Sequence, residues 1–248
     1  MRRFEKAFFS RNLNRDMGFI CYGHGGKPVI AIPTQNGHLR QWEEFGMPEI
    51  LSGYINSGKI QLFLADALDE ENISSNAPLE QRAWNLENYS RYLADELAPA
   101  VLDINAADSR YRAGGVLVSG FSAGAFHAAN VFFRNPNVFD AVIALSGVYS
   151  TRLFFGGWLN DVLYYNSPTA YLQNQDAWHL QKYRQSKMAF CCGQGAWEDE
   201  MLREIAELKA VLDAKGVGAT VDVWGRDVNH DWPWWKKQMP YFLDKFLR

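Results

Sequence analysis

Cysteine is scarce in this sequence: Cys21 and the adjacent Cys191 and Cys192 are the only three in 248 residues. An odd count containing an adjacent pair does not make the disulfide framework of a secreted domain. No Cys-x-x-Cys or His-x-x-x-His spacing offers a metal site either. Buried thiols, no metal and no structural disulfide are therefore expected. Charge of one sign is lacking too, because 25 Lys and Arg stand against 28 Asp and Glu, for a net charge of −3. That balance gives no electrostatic footing to a nucleic-acid binder or a polybasic membrane-surface protein. No apolar run approaches the roughly 20 residues of a membrane-spanning helix. The arginines Arg2 and Arg3 are followed by a polar stretch at 10–16 instead of an apolar segment, so a cytoplasmic protein is expected. Gly and Pro, at 20 and 9, are too ordinary for collagen-like or disordered chains.

What the chain has in plenty is apolar and aromatic surface. Hydrophobic residues make up 48% and aromatic ones 15%, with nine Trp, which is ample for a buried core. Strand-like and helix-like segments take turns. Residues 18–22 and 27–32 are apolar runs separated by Gly23-His24-Gly25-Gly26, which predicts a hairpin. Residues 60–65, 115–119, 141–146, 188–192 and 220–224 read as further strands, several of them continuous runs that suit burial on both faces. Between them, Leu86, Tyr89, Leu93, Leu97 and Val101 fall at helical spacing over residues 80–102, with Pro99 expected to kink or shorten the end. Residues 123 to about 133, the stripe of Met201, Ile205, Leu208 and Leu212, and residues 232–247 predict three more helices. The alternation predicts an α/β fold, with a mostly parallel central sheet, an antiparallel N-terminal hairpin and helices on both faces. No linker or repeat divides residues 1–248, so a single domain is expected. Residues 148–186 break the rhythm with Phe154, Phe155, Trp158, Tyr164, Tyr165 and Tyr171. They read either as a cap over a site or as an excursion packed on the body.

The sharpest local signal is Gly120-Phe121-Ser122-Ala123-Gly124. The bare G-x-S-x-G pattern recurs by chance, and it gains weight here from the strand before it and the helix after it. A strand-to-helix turn this tight strains the central residue and lifts its Oγ clear of the sheet. Side chains at the flanking glycines would collide with the neighbouring strand and helix. Ser122 is thus the candidate nucleophile. The Ala123 N–H, at a helix N-terminus where negative charge is favoured, is a candidate oxyanion donor.

A serine needs a base, and the base needs an orienting acid. Of His24, His38, His127, His179 and His230, the last stands after the final strand, at the carboxyl edge where such sheets place their sites. It also completes the order serine, acid, histidine. His127, inside the helix after Ser122, reads as structural. The acid is expected in Gly193-Gln194-Gly195-Ala196-Trp197-Glu198-Asp199-Glu200, after the penultimate strand. Glu198 is favoured because Asp199 is the better helix N-cap and Glu200 reads as first-turn helix. Asp199 and Asp227 stay as alternatives. The second oxyanion donor is expected in Thr34-Gln35-Asn36-Gly37-His38, from the Gln35 N–H or else from Gly37. His38, Phe121, Trp158, Trp197 and Trp232 are the candidates for binding substrate.

These residues resemble the esterase family that includes esterase D and the antigen 85 mycolyltransferases, within the α/β-hydrolase fold. The resemblance runs from about Phe9 to the C-terminus. It is carried by residues 10–16, the 32–37 loop, the elbow, the 193–198 loop, and His230-Asp231-Trp232 with Trp235 and Met239-Pro240-Tyr241-Phe242-Leu243. Asn166-Ser167-Pro168 and Tyr171-Leu172 are similar to the family's post-elbow region. The resemblance implies Ser122 as nucleophile, His230 as base, Glu198 as acid, and the Ala123 and Gln35 amides as oxyanion hole. The chain departs from other relatives in its Gly-Gln-Gly-Ala-Trp-Glu loop, where they carry Gly-Thr-x-Asp. It also shows no signal peptide of the kind the family's secreted members carry. The expected activity is cleavage of a carboxylic ester through an acyl-enzyme on Ser122, with no metal or organic cofactor. Transfer of the acyl group to an alcohol acceptor and a non-catalytic scaffold are the competing readings. The expected partner is a small-molecule ester, with no nucleic acid or membrane and with self-association left open.

Overall fold

The computed structural model describes residues 1–109 and 113–247. Its strands are β1 (Arg3–Ser10), β2 (Arg15–Tyr22), β3 (Lys27–Ile32), β4 (Ile60–Ala65), β5 (Val116–Phe121), β6 (Phe139–Leu145), β7 (Lys187–Cys192) and β8 (Thr220–Val223). They form one sheet in the order β1-β2-β4-β3-β5-β6-β7-β8. β2 is antiparallel to both of its neighbours, and the strands from β4 across to β8 run parallel. The expected mostly parallel sheet with an antiparallel N-terminal hairpin is thus present.

The hairpin, however, is made by β1 and β2, and not by residues 18–22 with 27–32. β4 lies between β2 and β3, so those two apolar runs never pair. The turn at 23–26 instead carries the chain across, with Gly23, Gly25 and Gly26 at positive φ. β1 lacks an apolar run because it is an edge strand, largely exposed and carrying Arg3, Glu5 and Lys6, a composition that discourages further pairing. The tip of the true hairpin is pinned by Glu96, whose Oε1 accepts the Arg11 and Asn12 N–H groups at 3.0 Å each.

The principal helices are α1 (Leu79–Arg91), α2 (Ala98–Ser109), α3 (Ala123–Arg134), α4 (Ala177–Gln185), α5 (Asp199–Ala214) and α6 (Trp232–Phe246). Pro99 does not end the run expected at 80–102. The segment Tyr92–Leu97 widens into a π-helical turn, and Pro99 then falls in the first turn of α2, where a missing N–H is tolerated. Alternation along the buried strands splits the core in two. Val116, Val118, Val142, Ala144 and Phe190 face α1 to α5, whereas Leu117, Phe121, Ile143, Leu145 and Cys191 face α6 and the short helical turns around Trp42, Met47 and Ile55. Residues 148–186 pack on the body: Val148, Phe155 and Leu163 are buried against Leu86 and Phe126. Arg82 stitches the segment down through the Phe154 carbonyl at 2.8 Å. Among the described residues, no helix is long and apolar enough to cross a membrane.

Candidate active site

Ser122 sits where β5 meets α3, with φ 56° and ψ −123°, a backbone region that an L-residue occupies only under constraint. The constraint is visible on every side. The Ser122 N–H donates to the Leu145 carbonyl at 2.9 Å. A Cβ on Gly120 would overlap the Gly124 backbone, and one on Gly124 would overlap the Ile32 and Pro33 carbonyls. The start of α3 is therefore pressed against the end of β3, where the chain enters the turn that follows Pro33.

That turn, residues 34–37, is closed by the Gly37 N–H donating to the Thr34 carbonyl at 2.8 Å. Two more of its amides are engaged: Thr34 N–H donates to Gln41 Oε1 at 2.8 Å and Asn36 N–H to Asp69 Oδ2 at 3.2 Å. Among the described residues the Gln35 N–H has no acceptor, so of the two expected donors Gly37 is already spent and Gln35 is free.

The loops after β7 and β8 are zipped together. Gly195 N–H donates to the Val228 carbonyl, Ala196 N–H to Asn229 Oδ1, and His230 N–H to the Ala196 carbonyl, at 2.9 to 3.0 Å. Glycine is required in the zipper because a Cβ on Gly193 or Gly195 would overlap Val228 or Asn229. The outcome is that His230 Nδ1 faces Glu198 Oε2 at 3.6 Å, and both atoms are buried without a hydrogen-bond partner. The other Glu198 oxygen is tied down: Ser146 Oγ–H donates to Oε1 at 2.6 Å, and Trp235 Nε1–H donates to Ser146 Oγ at 3.0 Å. The Trp235 ring stands edge-on to the His230 ring at 5.2 Å. Glu198 is fully buried, whereas Asp199 is exposed. The capping argument for Glu198 shifts by one residue, since α5 starts at Asp199 and Glu198 occupies the cap position with its side chain turned inward and capping nothing.

The remaining histidines go elsewhere. His127 Nε2 lies 2.9 Å from Asp69 Oδ1 in the interior, His179 pairs with Asp176 at the start of α4, and His24 is exposed in its turn. His38 turns to the surface, 3.3 Å from Glu44. Two of the expected substrate-binding residues are core instead. Phe121 is fully buried, stacked on Trp42 at 4.5 Å and on Trp235 at 5.4 Å. Trp232 stacks on Phe45 at 4.2 Å and meets Phe121 edge-on. Phe121 follows the pleat onto the face away from α3, so adjacency to Ser122 in sequence does not bring its ring to the site. Trp158 lines a groove of about 500 Å³ with Arg152, Leu159 and Val211, whose walls include neither Ser122 nor His230. Trp197 projects into solvent, 85% exposed, at φ 69° beside Glu198. Ser146 and Asp69 are absent from the sequence expectations, and Trp235 enters them only within the 230–243 stretch that carries the resemblance. The one available signal was the position of Ser146 at the carboxyl end of β6, next to β5.

No curated protein matches the chain in sequence. Among solved structures it is similar to a ferulic acid esterase (18% identity, TM-score 0.75, covering 99% of this chain and 97% of the other). It is also similar to the S-formylglutathione hydrolase FrmB of Staphylococcus aureus (11%, 0.70, 100% and 99%). A third is MPT51 of Mycobacterium tuberculosis (16%, 0.70, 100% and 98%). At these identities the likeness speaks for the fold, which is that of the α/β-hydrolases. A family model described as "Putative esterase" matches residues 10–246, nearly the whole chain and all of the 120–124, 193–200 and 228–230 segments, and the chain belongs to that esterase family.

Proposed function

We propose that the protein hydrolyses a carboxylic ester of a small molecule through an acyl-enzyme on Ser122. The observation that carries this reading is the facing pair of His230 Nδ1 and Glu198 Oε2, buried and otherwise unpartnered, at the same sheet edge as the strained Ser122. In the first step Ser122 Oγ attacks the ester carbonyl and gives its proton to His230 Nε2. The imidazolium that forms needs an anion at Nδ1, and Glu198 supplies it. A separation of 3.6 Å is long for a hydrogen bond, and catalytic contacts commonly tighten as charge develops. The tetrahedral oxyanion is received by the Ala123 and Gln35 N–H groups, the first at a helix N-terminus and the second unpaired in its turn. His230 then protonates the leaving alcohol, and water enters through the same base to release the acid and regenerate Ser122.

Intact mass after incubation with a fluorophosphonate probe tests this reading. One adduct on the parent chain, absent from Ser122→Ala, is expected, together with turnover of short aryl esters. A folded parent chain that takes no adduct would overturn it.

A further inference from the structure

A buried carboxylate joins the two halves of the oxyanion site. Asp69 Oδ2 accepts the Asn36 N–H at 3.2 Å, and Asp69 Oδ1 accepts from His127 Nε2 at 2.9 Å. Both side chains are within 2% of complete burial. His127 belongs to α3, the helix whose first N–H is that of Ala123, and its ring is held edge-on by Tyr89 at 5.0 Å. Asn36 belongs to the turn that presents Gln35 and is itself in the left-handed region at φ 54°. The same stretch steadies the turn a second time, since Ser74 N–H donates to the Asp69 carbonyl at 2.8 Å and Ser74 Oγ accepts from Gln35 Nε2 at 2.8 Å. An apolar pair would fill this volume without the cost of burying polar groups, so a pair kept here is better explained by what it positions than by stability alone.

We propose that the His127–Asp69 pair is a positioning device that sets the spacing between the Ala123 and Gln35 amides. The inference rests on the proposed hydrolytic reading. Neither residue touches substrate; each acts through the backbone it holds. Oxyanion donors bind the transition state more strongly than the ground state. Loosening the pair therefore lowers kcat and leaves KM nearly unchanged. Loss of a whole donor costs roughly 10²- to 10³-fold, and displacement of one should cost about tenfold or more.

The test is a matched pair of substitutions that differ by one methylene. In His127→Gln the amide nitrogen reaches the position of Nε2, and in His127→Asn it falls short of Asp69. Fluorophosphonate titration of each chain counts intact Ser122 sites, and kcat and KM for an aryl ester are then expressed per labelled site. Affinity for a trifluoromethyl ketone, which forms an oxyanion on the serine, is measured alongside. The expected result is that His127→Asn loses about tenfold in kcat and a similar factor in ketone affinity, while His127→Gln recovers most of both. Where the asparagine chain does not fold, His127→Phe, which keeps a ring against Tyr89, takes its place. Unchanged kcat per labelled site with only a lowered Tm would overturn the inference, as would a loss expressed wholly in KM. A parent chain that takes no label would overturn the hydrolytic reading and this inference together.

Discussion

Ser146 holds a left-handed backbone, φ 54°, at the point where β6 leaves the sheet. Its hydroxyl passes one hydrogen bond to Glu198 Oε1 while receiving another from Trp235. With Oε1 fixed in this way, Oε2 can point only toward His230. Ser146→Ala leaves a carboxylate oxygen buried and unsatisfied, at a cost of about 1–3 kcal/mol. The expected outcome is a lowered Tm and a fall of about tenfold or more in kcat, with KM for an aryl ester held; unchanged kcat would show that Glu198 needs no such support. Gly195→Ala acts on the same pair from the other side, by pushing Asn229 and Val228 away and His230 with them. Displacements of this size cost on the order of 10²-fold in rate, and steady-state kinetics on the labelled fraction checks it. These residues also mark the limit of what could be read from the sequence. Ser122, Glu198 and His230 stand out in the sequence as candidates because a turn motif and chain order single them out. Ser146 and Asp69 carry no motif, and their significance comes from burial and from which atoms remain unpaired. Phe121 and Trp232 were misread because neighbourhood along the chain does not say which face of the sheet a ring takes.

Elements were legible where one local pattern decided them and obscure where pairing was distant. Most of the parallel strands announced themselves as continuous apolar runs, and α3, α5 and α6 ended within a residue or two of expectation. The glycine turn at 23–26 gave a sound local signal for a reversal but could not reveal that β4, thirty-odd residues on, would insert beside β2. β1 was silent because an edge strand carries charge in place of an apolar stripe. A further tie between elements is set by acid chemistry. Glu87 on α1 meets Arg134 on α3 in two bonds of 2.7 and 2.9 Å and Asn166 of the 148–186 excursion at 2.9 Å. Burial by itself would raise the Glu87 carboxyl, but the Arg134 contacts outweigh it, with Asn166 and Arg91 adding to them, and hold the group at about 2. A folded value below the ordinary 4.5 means that the stabilisation is complete above about pH 4.5 and is lost as pH falls through about 2. Melting curves from about pH 5 to about pH 2 should therefore drop more steeply for the parent chain than for Glu87→Gln. Parallel curves would assign the acid sensitivity to other groups.

Across the whole molecule the three thiols report on integrity. Cys21, Cys191 and Cys192 are free and buried. Burial pushes Cys21 and Cys192 up to about 12 and Cys191 higher still. A thiol that stays protonated and out of reach reacts slowly. Labelling by an aromatic disulfide reagent should follow global unfolding, with all three sites appearing together; early labelling of one would reveal a local opening around it. The strand order has one more consequence, in the time domain of synthesis. Ser122 and the 34–37 turn emerge from the ribosome before β6 to β8, whereas Glu198 and His230 stand on the loops after β7 and β8. Roughly a hundred residues separate Ser122 from His230, so at ordinary elongation rates the nascent chain spends on the order of 5–20 s with Ser122 made and His230 still unwritten. On the proposed reading, a polypeptide arrested in that interval should take no fluorophosphonate label, because its serine has no base.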